Sequence, residues 1–359
     1  MTQASSTSIQ NAYSSGRLGS SVPALLLLTT MAVSAVLFLF LQLAGTTESY
    51  NIVGAVLLGI VLYGVILYIA SRLVEGSRRA MDRLVTTLVA TAFVIALLPL
   101  ISVMFTVLAN GSARFDLQFF TYSMRNIVGV GGGALHAIVG TVLMTLVASL
   151  ISVPIGLMTS IYLVEYGRGP LARAITFFVD VMTGIPSIVA GLFAYALFAI
   201  IFGPGVRLGI AGAVALSVLM IPVVVRSSEE MLRLVPNELR EAAYALGVPR
   251  WLTILKVVLP TSIAGITTGV MLAVARVIGE TAPLLVAAGF TSNMNYDLFD
   301  GRMQSLPVFV YSSYVSQGTD AQASLDRAWA GALTLILIVM LLNLLARLIA
   351  RYFAPKLGR

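Results

Sequence analysis

The apolar positions of this chain run together in long stretches, and most of the polar residues gather in the segments between them. About 20 predominantly apolar residues are enough for a helix to cross the hydrocarbon of a bilayer. Eight stretches reach roughly that length: 22–45, 51–71, 84–109, 138–163, 181–203, 208–225, 263–289 and 328–350. The expected fold class is an all-α integral membrane protein with about eight spans. The first two spans, 22–71, form a tight hairpin with only Glu48 charged between them. Residues 1–21 are polar and rich in Ser and Thr, and read as a disordered cytoplasmic tail rather than a cleaved leader. Residues 351–359 read as a second short cytoplasmic tail.

Two runs carry interruptions. In "LARAITFFVDVMTGIPS", 171–187, Gly184 and Pro186 should break or kink the helix and leave an interfacial segment before it. In "LAVARVIGETAPLLVAAG", 272–289, Arg276 and Glu280 stand inside an apolar run that reads as one continuous helix. Bringing either charge to mid-bilayer costs roughly 2.5–3.5 kcal/mol on insertion scales. A charge at that depth has to face protein or a polar cavity. Four residues apart on one helix, the two would share a face about 6 Å apart. The outer loop 290–327 holds "SLPVFVYSSY", too short to span, which is expected to dip into the membrane or lie along it.

Composition sharpens the class. The chain of 359 residues is 58% hydrophobic and 10% charged, with a mean hydropathy of +0.97. A soluble domain carries about 25% charged residues. The formal charge of +7 therefore bears on membrane topology and not on nucleic acid. There is no cysteine and a single histidine, His136, so thiolate chemistry, disulfides and multi-histidine metal sites are excluded. His136 reads as structural. An intramembrane enzyme would need a nucleophile with a base, or paired acids on facing helices, and the residues at depth do not supply them. "GVGGG", 129–133, follows no strand, so it reads as a flexible outer loop and not as a dinucleotide fingerprint.

The basic residues set the orientation. With the N-terminus in the cytoplasm, 16 Lys and Arg fall inside and five outside: Arg114, Arg125, Arg207, Arg302 and Arg327. That asymmetry places both termini in the cytoplasm. The inner segment 226–262 is long, charged and expected to be helical.

Inside it lies "REAAYALGVPRWLTILKVVLP", 240–260. Glu241, Ala242 and Ala243 are followed by Gly247, and Leu259–Pro260 closes the stretch. Ala242, Ala243 and Ala245 give a small-faced helix that another protein can approach. Gly247 permits a sharp turn, and Pro249 suits the start of a second short helix. The spacing resembles the EAA loop of binding-protein-dependent ABC importer permeases, with Val257 where isoleucine is usual. In that family the loop docks on a cytoplasmic ATPase. No Walker A sequence occurs, and the dipeptide Gly-Lys is absent, so the motor is expected in another subunit.

Three further stretches, "IPVVVRSSEEML" (221–232), "ARVIGETAPLLVAAG" (275–289) and 131–166, resemble the A-type permease family of phosphate-specific transport (Pst) importers. The resemblance covers about 84–350 and implies a type I permease core of six spans. The hairpin 22–71 is extra to that pattern. The resemblance implies a subunit that moves inorganic phosphate across the bacterial cytoplasmic membrane by alternating access. The implied partners are a C-type sister permease in a heterodimer, a pair of ATPase subunits, an extracytoplasmic phosphate-binding protein and membrane lipid. No cofactor is expected in this chain, ATP and Mg being bound by the ATPase. No catalytic or metal residue is expected.

The candidate substrate pathway is Arg276, Glu280, Arg226, Thr281 and Ser187. A guanidinium matches phosphate oxygens with a planar fork, and Glu280 would hold that fork or accept the proton of hydrogen phosphate. Arg226, read as the end of its span, matches a family arginine implicated in phosphate passage; an interfacial anchor is the alternative. Asp180 reads as interfacial. Ser187 and the free amides after Pro186 offer a positive helix start. A permease for another oxyanion or small solute is the alternative function. A passive channel would explain Arg276 but not the EAA loop.

Overall fold

The computed structural model describes Gly16, residues 18–45 and residues 49–353, with side chains through Ile349. Most of the tail read over 1–21, Glu48 and 354–359 lie outside the described residues. The described residues form α-helices with one 3-10 turn and two π turns and no strand; most connections are short, the longest being 122–134 and 288–305. Among the described residues, seven helices are long and apolar enough to cross a membrane, and a sharply bent helix pair, taken as one span, raises the number to eight.

The chain divides into two compact units at Met104/Phe105. That boundary falls inside a helix and not in the 71–84 segment that the sequence suggested. The first unit holds α1 (Val22–Leu43), α2 (Ile52–Val74) and most of α3 (Ser77–Gly111). Helices α1 and α2 pack through small residues. A Cβ on Gly59 would lie 2.7 Å from Met31 Sδ, and one on Gly54 2.7 Å from the Phe38 ring. The α2–α3 corner is closed by the buried carboxylate of Glu75. It accepts hydrogen bonds from Arg83 Nε at 2.7 Å and Nη2 at 2.9 Å, from Ser71 Oγ at 2.8 Å and from the Leu18 amide at 3.0 Å. The Arg83 and Ser71 donors hold the Glu75 pKa at about 2, well below its ordinary 4.5.

In the second unit, α4 (Leu117–Thr121) precedes α5 (Leu135–Ile161), which packs in parallel on α8 (Gly209–Arg233). Small residues set their approach: Gly212 meets Met144, and Gly156 meets Val224. Helix α8 is in turn antiparallel to α11 (Leu259–Ile278), with Gly265 against Met231 and Gly269 against Ser227. Met144, Leu216, Met220, Val224, Val277 and Leu284 form the main core.

Helix α6 (Pro170–Thr183) and α7 (Ser187–Phe202) meet at 108°, at the Gly184–Pro186 break expected from the sequence. The predicted span 181–203 is therefore not one helix, and at roughly 1.5 Å per residue the 16-residue α7 falls short of a full crossing. The segment 306–315 forms α13 (Leu306–Val315), packed on α14 (Ala321–Phe353) and α5, with Leu306 and Phe309 buried beside Phe119.

The glycine loop 129–133, read from the sequence as a flexible outer loop, has its carbonyls held by two arginines. Arg327 donates to the carbonyls of Gly129 at 2.7 Å and Gly131 at 3.0 Å, and Arg114 donates to that of Gly132 at 2.9 Å. His136 is buried, edge-on to Phe309 at 5.7 Å.

Candidate functional site

The stretch 272–289 folds differently from the single helix that its hydropathy suggests. Helix α11 stops at Ile278, Gly279–Thr281 form a break, and α12 (Ala282–Ala287) resumes with a proline in its first turn. The reason is local: a helix tolerates glycine poorly in its interior and proline well only at a start. Arg276 thus stands in the last turn of α11, while Glu280 lies outside any helix. The expected pairing of the two is not formed. Neither side chain makes an ion pair or hydrogen bond among the described residues, and Arg276 is exposed.

Register gives Arg276 its depth. Gly265 lies against Met231 and Gly269 against Ser227, so the antiparallel pairing carried forward sets Arg276 level with Met220, near the middle of α8. An unpaired guanidinium at that level is the site's defining feature.

The two broken spans are neighbours. A Cβ on Gly191 of α7 would come within 2.5 Å of Pro283 Cα in α12, and Ala194 shares a core with Ala287. The helices run in parallel. Ser187 is one turn before Gly191, and Glu280 three residues before Pro283, so both breaks open at about the same level. Ser187, Glu280 and Thr281 are each half-buried.

Arg226 is not the end of a span, because α8 continues to Arg233. It lies six residues from Met220, roughly 9 Å toward the Arg233 end of α8. Its guanidinium bonds Glu229 Oε2 at 2.9 Å and pairs with Asp180 of α6, while Arg233 holds Glu229 Oε1 at 2.6 Å. Asp180, read from the sequence as merely interfacial, is a direct partner of the candidate arginine. Asp180, Glu229 and Arg233 edge a cavity of about 390 Å³ that Arg173 and Thr176 also line.

Below the bundle, "NELREAAYA" forms α9 (Asn237–Ala245). Gly247, at φ +75°, ends it: the Gly247 amide bonds to the Tyr244 carbonyl at 2.9 Å and the Val248 amide to that of Ala243 at 3.1 Å. Ala243 faces inward, while Glu241, Ala242, Tyr244, Leu246 and Gly247 are exposed. The expected second short helix is continuous with the membrane helix. α10 (Arg250–Thr253) passes through a π turn, Ile254–Val258, into α11. Leu259 and Pro260 therefore belong to the start of α11 and not to a loop. Pro260 lacks the N–H that an α turn would require, and the turn before it widens.

The sequence reading missed what anchors α9. Glu165, buried in the π turn Tyr162–Tyr166 after α5, accepts Arg240 Nε at 3.0 Å and Nη2 at 2.9 Å. Arg240 also donates to the carbonyls of Leu232 at 2.9 Å and Val235 at 2.6 Å. Arg250 donates to the Glu165 carbonyl and stacks over Tyr166. An acid at the C-terminal end of an apolar span was the available signal.

The description of binding-protein-dependent transport system inner membrane components matches residues 152–359. The phosphate transport system permease protein PstA 1 of Mycobacterium tuberculosis is 46% identical over 285 residues, 79% of this chain and 91% of that protein. The PstA permease of Yersinia pestis is 40% identical over 79% of this chain and 94% of its own length. Among solved structures, a bacterial alginate ABC transporter superposes with a TM-score of 0.55 at 13% identity, covering 80% of this chain and all of that one. The inward-facing MetNI methionine ABC transporter gives 0.52 at 21% identity, over 62% and 96%. At these identities the structures speak for the fold alone.

Proposed function

Because the chain belongs to the PstA family of phosphate transport permeases, we propose that it carries hydrogen phosphate past the unpaired Arg276 and through the two helix breaks beside it. It is a multi-pass permease subunit of an ATP-driven phosphate importer, a membrane component and not an enzyme, working with a binding protein and a separate ATPase. The proposal adds a pathway to that role. Glu280 and Thr281 stand at one break and Ser187 at the other. Arg226, paired with Asp180, lies at the inner end, where an anion can exchange with the aspartate on the same guanidinium.

Transport by alternating access needs a mechanical link to the ATPase. The exposed face of α9, with Glu241, Ala242 and Gly247, supplies it. Ala243 packs that helix inward, and Leu259–Pro260 pass its displacement into α11. The second half of the pathway comes from a C-type sister permease facing Arg276. ATP and Mg are bound by the ATPase pair. Both termini lie in the cytoplasm of a bacterial cell, with the phosphate-binding protein docking outside.

The single observation behind the pathway is a guanidinium without a partner at mid-height of the bundle. The test is labelled phosphate uptake in cells lacking other importers, with membrane abundance measured alongside. Arg276→Lys keeps the charge but loses the planar fork, and should cut uptake at least about tenfold. Arg276→Gln should do the same without loss of abundance, since it leaves no paired acid behind. Near-normal uptake in Arg276→Gln would refute the pathway.

A further inference from the structure

We propose that Arg207 and Arg302 form an outer receiving site for the phosphate anion, one short helix above Arg276. The inference rests on the phosphate-permease reading and adds a site to it. The two residues come from distant parts of the chain, Arg207 from the turn before α8 and Arg302 from the loop 290–305. Their stems meet over Gly289, just past the end of α12. A Cβ there would lie 2.9 Å from Arg207 Cδ and 3.4 Å from Arg302 Cδ. Gly289 has φ +75° and is buried, so the backbone leaves room for both stems only because this residue has no side chain.

The convergence is built into the backbone. Leu208, next to Arg207, donates its amide to the Ala287 carbonyl at 3.3 Å. Met303, next to Arg302, donates its amide to that of Ala288 at 3.2 Å. Both arginines are thus pinned to consecutive carbonyls at the end of α12. Asn295 Nδ2 further clamps the loop, donating to the carbonyls of Asp300 at 2.8 Å and Arg302 at 3.0 Å.

Two cations held together repel unless something neutralises them. Neither guanidinium makes an ion pair or hydrogen bond among the described residues, although Asp297 and Asp300 are on the same loop as Arg302. Asp297 instead accepts the Phe299 amide. Of the three other outer arginines, Arg114 and Arg327 serve the fold by donating to loop carbonyls, while the exposed Arg125 stands alone among the described residues and not beside a second guanidinium. Arg207 and Arg302 keep their donors free. A tetrahedral oxyanion offers acceptors to both forks at once. The six-residue α12 between Gly289 and the Gly279–Thr281 break rises about 9 Å, so an anion released from here has Arg276, just past the break, as its next cation.

The test is uptake by the assembled complex in proteoliposomes, driven by internal ATP and supplied with binding protein loaded with radiolabelled inorganic phosphate. Arg207→Gln with Arg302→Gln should lower the maximal rate at least about tenfold, the loss expected for two charge-assisted contacts. The half-saturating concentration of loaded binding protein should not change. The double lysine variant keeps both charges but not the forks, and its rate should fall between those of the parent and the glutamine pair. Arg302→Gln alone, at an exposed position, should show the same pattern at smaller size, which covers the case of a double variant that does not assemble. A rate within twofold of the parent, a change confined to half-saturation (a docking contact), or a lysine pair as inactive as the glutamine pair would each overturn the site. An inactive parent complex would instead remove the phosphate reading on which it stands.

Discussion

At the scale of single residues, the arginines separate by what they touch. Arg83, Arg114, Arg240 and Arg327 are consumed by carboxylates or carbonyls, and hold corners of the structure. Arg276, Arg207 and Arg302 are left without such partners. The sequence pointed to Arg276 correctly as a charge inside an apolar run, but paired it wrongly. Four-residue spacing implies a shared face only if the helix runs through it, and Gly279 with Pro283 stops it. The same glycine–proline rule, applied at Gly184–Pro186, gave the bend. Glu75 supports a prediction of its own. Its folded pKa of about 2 lies below the ordinary 4.5, so its contribution to the α2–α3 corner is complete above pH 4.5 and is lost as pH falls toward 2. Hydrogen exchange at the Leu18 amide should therefore quicken across that window beyond the intrinsic trend. Glu75→Gln should abolish the step. An unchanged step in the variant would place the titration elsewhere.

At the scale of elements, what was legible was the existence of helices. Where they break, and what they lean on, was only partly so. Apolar length announced every long helix, because a bilayer demands it. It placed the α8 end too early, at residue 225, because Arg226 and the charges after it look like a loop. The structure satisfies them in place, through Asp180, Glu229 and Arg233, so the helix runs on. The EAA spacing located α9 and its turn, but not the Glu165–Arg240 strut, which joins residues 75 apart in sequence. Such contacts have no local signature. Gly247→Val should cut uptake roughly tenfold or more while abundance holds, since valine is strained at φ +75° and the Gly247–Val248 turn would reopen. Uptake measured with abundance decides it; a normal rate would deny α9 a coupling role.

At the scale of the whole molecule, orientation is the property that sequence charge speaks to most directly. Sixteen basic residues against five is a large asymmetry, carried mainly by the segments 72–83 and 226–256 and by the C-terminal end. The parallel α5–α8 pair and the antiparallel α8–α11 pair agree with it inside the second unit. They put Arg207 and Arg302 at one end, and Arg233 and Arg240 at the other. The division at Met104 was not legible, because it depends on which residues α3 packs against and not on its hydropathy. A chain without cysteine allows a clean test of orientation, since any introduced thiol is the only one. Val128→Cys and Thr319→Cys, both exposed, should react with a membrane-impermeant maleimide added to intact cells. Ser77→Cys and Glu238→Cys, also exposed, should react only after the membrane is opened. Uptake should persist in Val128→Cys, Thr319→Cys and Ser77→Cys, which lie outside the pathway and the coupling helix; Glu238 is on α9, and Glu238→Cys is read by labelling alone. Labelling of Glu238→Cys from outside would invert the chain. It would turn α9 away from the ATPase and the Arg207–Arg302 pair toward the cytoplasm, so this one measurement bears on the coupling element and the receiving site together.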